Sequence, residues 1–177
     1  MYSIDNIESI KNFMIAHKQT IAVAESVTSG HLQVAFSLAD EASAFFQGGI
    51  TTYNIFQKYT HLHINPTKAI GCNCVSEGIA EEMAKNVCTL FSSVWGIGIT
   101  GYATLLPNHK STGLYACYSI AFRKQKIKNV TITAPENKAL DVQLFYTNAV
   151  LEDLAKMLKN FKEENFLKSV KDQSYFL

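Results

Sequence analysis

This sequence of 177 residues has no long hydrophobic run, no excess of one charge and none of the common cofactor signatures. No apolar stretch approaches the roughly 20 residues that are needed to cross a bilayer. A net charge of +1 provides no broad basic surface for nucleic acid or for an anionic membrane. The first residues, Met1-Tyr2-Ser3-Ile4-Asp5, lack the basic and then apolar order of a secretory signal. We therefore expect a cytoplasmic protein that binds neither membrane nor nucleic acid.

Signatures of nucleotide cofactors, zinc peptidases and α/β-hydrolases are also missing, since the sequence contains no G-x-G-x-x-G, Walker loop, H-E-x-x-H or G-x-S-x-G. The pairs His61-x-His63 and Cys72-x-Cys74 could be considered as metal ligands, but neither has the usual spacing of a structural zinc site. In a reducing cytoplasm the cysteines are expected to be free thiols. We predict no metal and no organic cofactor.

The composition is that of a globular protein, with 47% hydrophobic and 18% charged residues, and the length suits one domain. Apolar residues at three- and four-residue steps predict helices, and short apolar runs between polar or glycine residues predict strands. The predicted helices cover residues 4–18, 29–39, 77–92 and 138–161, with one or two helical turns over 54–60. The predicted strands cover residues 20–24, 45–53, 94–99, 113–122 and 127–133, and residues 61–75 are predicted to be a loop.

The order of these elements predicts the fold. Helices and strands alternate up to the strand at 94–99, and a hairpin with a basic turn at 123–126 and a long helix follow. That order is typical of an α/β protein, here a three-layer α/β/α sandwich with a mixed, mainly parallel sheet. We predict a single domain over residues 1–161 and a C-terminal extension over residues 162–177, which is either helical or frayed.

The stretch Ile21-Ala22-Val23-Ala24-Glu25-Ser26-Val27-Thr28-Ser29-Gly30 is an apolar run that stops at a carboxylate, a hydroxyl and a small polar turn. It predicts a buried strand that leads into a helix, with Ser26 at the carboxyl end of the strand, where ligands bind in open α/β sheets. The N–H groups of the first helical turn could hold an anion or an oxyanion. A plainer interpretation is that Thr28 or Ser29 only caps the helix.

Tyr53 and Lys58 form a second candidate, although a lysine after a strand is ordinarily a surface cation. They lie within a set of colinear segments: Ala24-Glu25-Ser26-x-Thr28-x-Gly30, Phe46-x-Gly48-Gly49-Ile50-x-Thr52-Tyr53-Asn54-x-x-x-Lys58, Val75-Ser76-Glu77-x-x-Ala80-x-x-Met83-Ala84, Ile99-Thr100-Gly101 and Lys110-x-x-Gly113. Together these segments resemble the C-terminal domain of CinA, a competence/damage-inducible family whose members include nicotinamide-mononucleotide amidases. The resemblance covers roughly residues 5–160.

The resemblance implies a Ser-Tyr-Lys amidohydrolase with Ser26, Tyr53 and Lys58 as its catalytic residues. A serine hydroxyl needs an adjacent base to become a nucleophile. A nearby ammonium favours the phenolate form of Tyr53, and a partly dry site favours neutral Lys58, so either could receive the proton of Ser26. The implied reaction converts nicotinamide mononucleotide into nicotinic acid mononucleotide and ammonia, with backbone N–H groups between Val27 and Gly30 stabilising the oxyanion.

The resemblance also implies substrate contacts from Thr28, Ser29, Gly30, Gly49, Thr100, Gly101 and Lys138. The chain departs from the family pattern after Gly101, where Tyr102-Ala103-Thr104-Leu105-Leu106-Pro107 stands in place of a glycine-rich loop. Tyr102 and Leu105 are expected to narrow the approach of a ligand to the backbone. Lys138 stands where an arginine is expected, so the charge is kept but the planar, bidentate grip on phosphate is lost.

Two functions stay open at this point. The first is an active amidase on a small-molecule pyridine nucleotide, expected to be a homo-oligomer, as a dimer or higher assembly. The second is a non-catalytic nucleotide-sensing or protein-binding module on the same scaffold. The retained Ser26, Tyr53 and Lys58 favour the enzyme, and the altered loop at 102–107 favours the module.

Overall fold

The computed structural model describes residues 1–105, 113–164 and 166. Its helices are α1 (Ile4–Ala16), α2 (His31–Ser37), α3 (Ala42–Phe45), α4 (Ile55–Leu62), α5 (Pro66–Gly71), α6 (Glu77–Leu90) and α7 (Ala139–Lys159). Its strands are β1 (Ile21–Glu25), β2 (Phe46–Thr51), β3 (Trp95–Gly101), β4 (Leu114–Phe122) and β5 (Gln125–Ala134). The long helices and all of the strands lie within a few residues of their predicted positions.

The strands form one sheet in the order β2-β1-β3-β4-β5. β1 pairs in parallel with both β2 and β3, whereas β4 is antiparallel to β3 and to β5. β5 consequently runs in the same direction as the first three strands, and β4 alone is reversed. The predicted mixed, mainly parallel sheet is confirmed.

Helices cover the sheet on both faces. One core joins Val23 of β1 and Ile97 of β3 to side chains of α1, α2 and α7. A second core joins Ala22 and Ala24 of β1 to side chains of α4, α5 and α6, among them Met83. Every residue of β1 is buried, as expected for a parallel strand that is covered on both faces. The structure confirms the three-layer α/β/α sandwich.

The predicted loop at residues 61–75 is wrong, because this stretch contains helix α5. The helix begins at Pro66, whose fixed φ suits the first helical position. The side chain of Asn65 accepts hydrogen bonds from the backbone N–H of Thr67 and of Lys68. A helix of six residues is too short to show a hydrophobic period, so only this Asn-Pro start could have indicated it.

The hairpin between β4 and β5 is tighter than predicted. Its turn contains Arg123 and Lys124, with φ of 49° and 64°, and β5 already begins at Gln125. Two consecutive positive φ values match a two-residue turn whose twist suits a hairpin. The predicted four-residue turn at 123–126 therefore loses its last two residues to the strand.

Some predictions fall outside the described residues. These are Leu106 and Pro107 of the altered loop, Lys110 of the last motif, and the C-terminal extension apart from residues 162–164 and 166. Phe166 packs against the rings of Phe122 and Phe161. Within the described ranges, no helix combines the length and the apolar character that a membrane span requires.

Candidate active site

Ser26 lies at the carboxyl end of the sheet, directly after β1. The chain turns through residues 26–30 before α2 begins at His31. Only 7% of the Ser26 surface is exposed, so its hydroxyl lies in a largely dry place. Ser26 therefore lies at the end of a buried strand, as the sequence predicts.

Lys58 contacts Ser26 from α4, the helix that follows β2, and β2 is the strand next to β1. Its Nζ donates to Ser26 Oγ at 2.9 Å and to the carbonyl oxygen of Thr52 at 2.6 Å. Asn54 begins the helix, and its side chain accepts from the N–H of Gln57 at 3.0 Å, as a good N-cap does. With the helix beginning after Asn54, Lys58 lies on the buried side of α4. It is therefore not the surface cation that a lysine at such a position ordinarily is.

Burial changes the chemistry of this lysine. Lys58 is 1% exposed, and burial lowers the pKa of its ammonium from 10.5 to about 8, while the nearby Cys74 thiol slightly favours the charged form. With a pKa near 8, about a tenth of the lysine is neutral at pH 7. Lys58 can therefore act as a base toward the Ser26 hydroxyl.

Tyr53, the third predicted catalytic residue, lies apart from this pair. Its side chain is 72% exposed at the rim of the cavity next to Ser26. Within the described residues it makes no hydrogen bond to Ser26 or Lys58. The structure thus brings two of the three predicted catalytic residues together and leaves the tyrosine at the entrance.

The cavity beside Ser26 has a volume of about 540 Å³, within the usual range of small-molecule sites. Thr100 and Gly101, two of the predicted substrate contacts, line it from the end of β3. Ala139 and Gln143 line it from the start of α7. The contact between Ser26 and Lys58 and the cavity therefore lie together at the carboxyl edge of the parallel strands.

The N–H groups at the start of α2 donate hydrogen bonds to the side-chain carboxylate of Glu25, the last residue of β1. Glu25 is fully buried, and its Oε2 accepts from Thr28 Oγ at 2.6 Å and from the N–H groups of Gly30 and Leu32, both at 3.1 Å. Its Oε1 accepts from the N–H of Gln33 at 3.0 Å. The N–H groups that could hold an anion are thus occupied, and Glu25 provides the cap, rather than Thr28 or Ser29.

This arrangement narrows the predicted oxyanion hole. The N–H of Gly30 is bound to Glu25, and the N–H of Ser29 donates to the carbonyl oxygen of Ser26 at 3.2 Å. Among the described residues, the N–H groups of Val27 and Thr28 have no hydrogen-bond acceptor. The prediction of donors from Val27 to Gly30 is corrected to these two groups.

The remaining predicted substrate contacts lie away from the cavity walls. Ser29 Oγ accepts from Gln143 Nε2 at 3.3 Å, Gly49 packs under Gln33, and Lys138 is an exposed residue that precedes α7. Their roles in binding, like that of Thr28, stay predictions. In the part of the chain that is described, no cluster of three or more His, Cys, Asp or Glu side chains could hold a metal ion.

Tyr102 forms a fixed part of the cavity wall. Its hydroxyl accepts from Asn73 Nδ2 at 2.9 Å, and its carbonyl oxygen accepts from the Tyr146 hydroxyl at 3.1 Å. Its ring packs edge-on against Tyr115, with centroids 5.4 Å apart. The Tyr102 side chain, which was expected to narrow the approach of a ligand, thus lines the cavity and is held by Asn73 and Tyr115.

The segment between α5 and α6 was missed as part of the site. Asn73, Cys74 and Val75 line the cavity, and Thr100 Oγ donates to the carbonyl oxygen of Cys74 at 2.8 Å. Asn73 and Cys74 both have positive φ, 49° and 61°. No residue pattern in the sequence indicates that this bend meets the end of β3.

The sequence model of the CinA C-terminal domain matches residues 5–158. A CinA-like protein of Thermosynechococcus vestitus is 40% identical over 86 residues, which is 49% of this chain and 21% of that protein. The chain thus spans about a fifth of the length of this curated relative.

Solved structures show the same fold. A competence damage-inducible protein A from Klebsiella pneumoniae superposes with a TM-score of 0.85 at 20% identity, covering 92% of this chain and 100% of that one. A competence-damaged protein superfamily member from the same species gives a TM-score of 0.83 at 21% identity, covering 91% and 100%. At these identities the likeness concerns the fold alone.

Proposed function

We propose that this chain, which belongs to the CinA C-terminal domain family, is a nicotinamide-nucleotide amidase. Its reaction is the hydrolysis of the carboxamide of nicotinamide mononucleotide to nicotinic acid mononucleotide and ammonia. The observation that carries the proposal is the 2.9 Å contact between Lys58 Nζ and Ser26 Oγ beside a cavity of ligand size. A buried lysine with a lowered pKa that contacts a serine beside a cavity is a candidate base for the serine's proton.

The first step is attack by Ser26. Neutral Lys58 takes the hydroxyl proton, and Ser26 Oγ forms a bond to the carboxamide carbon. The carbonyl oxygen of Thr52 keeps Nζ in place through its 2.6 Å hydrogen bond. The negative charge on the carboxamide oxygen is stabilised by the free N–H groups of Val27 and Thr28.

The second step releases ammonia. Lys58, now an ammonium, returns its proton toward the carboxamide nitrogen, the carbon–nitrogen bond breaks, and an ester with Ser26 remains. Tyr53 borders the cavity. A bound substrate would bring its leaving nitrogen close to the Tyr53 hydroxyl, which then carries this proton. Hydrogen bonds of this kind are often absent before the substrate binds.

The third step restores the serine. Lys58 takes a proton from water as the water oxygen attacks the ester carbon, and the resulting ammonium returns that proton to Ser26 Oγ as the ester bond breaks. The acid product leaves, with Ser26 again a hydroxyl and Lys58 again neutral. Over the cycle, one amide and one water become one carboxylic acid and one ammonia. Lys58 Nζ, 2.9 Å from Ser26 Oγ, takes and returns each proton that the serine loses and regains.

The experiment is to incubate the purified protein with millimolar nicotinamide mononucleotide and follow both ammonia and the acid product. We expect measurable deamidation with weak binding, since the altered loop around Tyr102 changes recognition rather than the Ser26–Lys58 pair. Ser26→Ala is the matched control. Binding by calorimetry without product, at high enzyme and substrate, would contradict the amidase and support the nucleotide-sensing module.

A further inference from the structure

The ends of β1 and β2 together build the Ser26–Lys58 pair. Ser26 follows β1, and Thr52, whose carbonyl oxygen anchors Lys58, follows β2. Glu25 and Thr51 are partners in the parallel ladder, and the N–H of Thr52 donates to the carbonyl oxygen of Glu25 at 2.8 Å. The distance between Nζ and Ser26 Oγ therefore depends on how these two strand ends are held together.

Gln33, in the first turn of α2, bridges the two strand ends with its side chain. Its Nε2 donates to Glu25 Oε1 at 3.2 Å and to Thr51 Oγ at 3.2 Å. Its backbone N–H donates to the same carboxylate oxygen at 3.0 Å. Gln33 does not line the cavity, so it can influence the site only through the residues that it holds.

Gly49 makes room for this bridge. A Cβ atom at Gly49 would lie 2.6 Å from Gln33 Cγ and 2.5 Å from Val23 Cγ2, closer than real Cβ atoms come to their neighbours. The stem of Gln33 thus occupies the space that a side chain at position 49 would need. This packing explains why position 49, two residues before Thr51, is a glycine, and the explanation needs no contact with a substrate.

We propose that Gln33 is a positioning residue of the candidate active site, which holds the Thr51–Thr52 strand end against the Glu25–Ser26 strand end. The carbonyl oxygen of Thr52 then keeps Lys58 at hydrogen-bond distance from Ser26 Oγ. The activity part of this inference rests on the proposed function, whereas the bridge and the Ser26–Lys58 contact are independent of the substrate. Misplacement of a catalytic group by a fraction of an ångström to an ångström lowers a rate strongly.

The bridge also stabilises a buried charge, so stability alone cannot test the proposal. Glu25 is fully buried, and no basic side chain of the described residues forms a salt bridge with it. Removing a donor from a buried carboxylate is costly. A variant of Gln33 is therefore expected to be less stable whether or not it positions Lys58, and the test needs readouts at the site itself.

The test compares Gln33→Met, Thr51→Val and the double variant with the unchanged protein. Methionine keeps the length of glutamine without its N–H donors, and valine keeps the shape of threonine without its hydroxyl. Gln57→Met is the matched control, because Gln57 is an exposed glutamine on α4 whose side chain contacts His61. Two quantities are measured: kcat and KM for nicotinamide mononucleotide, and the pKa of Lys58 from the NMR signal of its labelled Nζ.

We expect Gln33→Met to lower kcat about tenfold, with KM changed by less than about twofold. We also expect the pKa of Lys58 to rise from about 8, as water reaches a loosened site. Thr51→Val should act in the same direction, and the double variant should be no worse than Gln33→Met, since both changes break the same bridge. Gln57→Met should leave kcat and the Lys58 pKa unchanged.

Unchanged kcat and an unchanged Lys58 pKa in folded Gln33→Met would overturn the proposal, and so would fully additive effects of the two substitutions. If Gln33→Met does not fold, Thr51→Val decides by the same two measurements. If the unchanged protein does not deamidate the nucleotide, the proposed function fails. The Lys58 titration then tests the positioning role alone: a shift in Gln33→Met supports it, and no shift rejects it.

Discussion

The two ends of the parallel strands are both buried, but they have opposite chemistry. At the carboxyl end the buried side chains are polar or charged: Glu25, Ser26, Thr52, Lys58 and Thr100. At the amino end Trp95 and Phe122 are fully buried, and their rings lie 4.7 Å apart. The Phe161 ring packs on both. One end of the sheet holds groups that can react, and the other holds an aromatic core.

The two ends also differ in what burial does to stability. Burying a large apolar side chain favours folding by about 1.5–3 kcal/mol. Burying Lys58 has the reverse effect, since the lowered pKa of its ammonium means that folding disfavours the charged form. The comparison indicates that burial stabilises the domain at the aromatic end, whereas burial of Lys58 at the polar end opposes folding while its ammonium is charged. Each prediction below acts on one end and spares the other.

Ser26→Ala should produce the largest effect, a loss of turnover of roughly 10⁴-fold or more. The variant should still fold, because a small residue replaces a small one, but the free energy of unfolding should fall by about 1.5–3 kcal/mol, because Lys58 Nζ loses a hydrogen-bond acceptor. The matched control is Ser93→Ala at the other end, where the hydroxyl donates to the carbonyl oxygen of Trp95 at 2.8 Å. That control should lower the free energy of unfolding by about 1 kcal/mol and leave kcat unchanged. Retained turnover in Ser26→Ala would reject the nucleophile.

Phe122→Ala should lower the free energy of unfolding by about 3–5 kcal/mol, since it leaves a cavity in the aromatic end. In the folded protein at low temperature, kcat should be unchanged, because Phe122 lies at the opposite end of β4 and β3 from the cavity. Urea unfolding and activity assays on the same sample measure both quantities. A large loss of kcat in the folded variant would show that the two ends are coupled.

The stability difference between the unchanged protein and Lys58→Met should depend on pH. A folded pKa of about 8 and an unfolded value of 10.5 mean that the unfolded state binds more protons between these values. The free energy of unfolding of the unchanged protein should therefore rise by about 3 kcal/mol relative to that of Lys58→Met as the pH rises from 8 to 10.5. Unfolding at several pH values measures this gain, and a pH-independent difference would mean that burial does not lower the Lys58 pKa.

Lys58→Met should lower the deamidation rate by roughly 10²-fold or more, because the proton of Ser26 loses its acceptor. In the unchanged protein the rate should rise with pH up to about 8, as the Lys58 ammonium loses its proton. That rise should be absent from the pH profile of the variant. A near-normal rate in Lys58→Met would return this residue to a structural role.

Tyr102→Phe should have the smallest effect. It removes the hydrogen bond from Asn73, worth about 1 kcal/mol, while the ring and its packing stay. We expect KM to rise about fivefold with little change in kcat. Tyr115→Phe is the control, because its ring packs on Tyr102 and its hydroxyl bonds no other described residue. An equal effect of both changes would mean that the hydrogen bond between Asn73 and Tyr102 does not contribute to binding.

The fold could be predicted from the sequence because its signals are local. The period of apolar residues indicates the long helices, and apolar runs that are bounded by turns indicate the strands. Where the signal is a cap rather than a period, as at Asn65 and Pro66, the prediction missed a helix. The family motifs likewise placed Ser26 and Lys58 in one site, and their 2.9 Å contact agrees with that expectation.

Other properties of the site depend on contacts that no local pattern contains. The pKa of Lys58 depends on the burial of its α4 face, and Tyr53 is exposed because nothing packs over it among the described residues. Glu25, not a ligand, occupies the start of α2, and Gln33 reaches Thr51 across the strand pair. Spacing along the chain determined which residue types reach the carboxyl edge of the sheet. Only tertiary structure decided which of their polar groups are already bonded and which stay free for a substrate, because the hydrogen bonds of Lys58, Glu25 and Gln33 join atoms from separate elements.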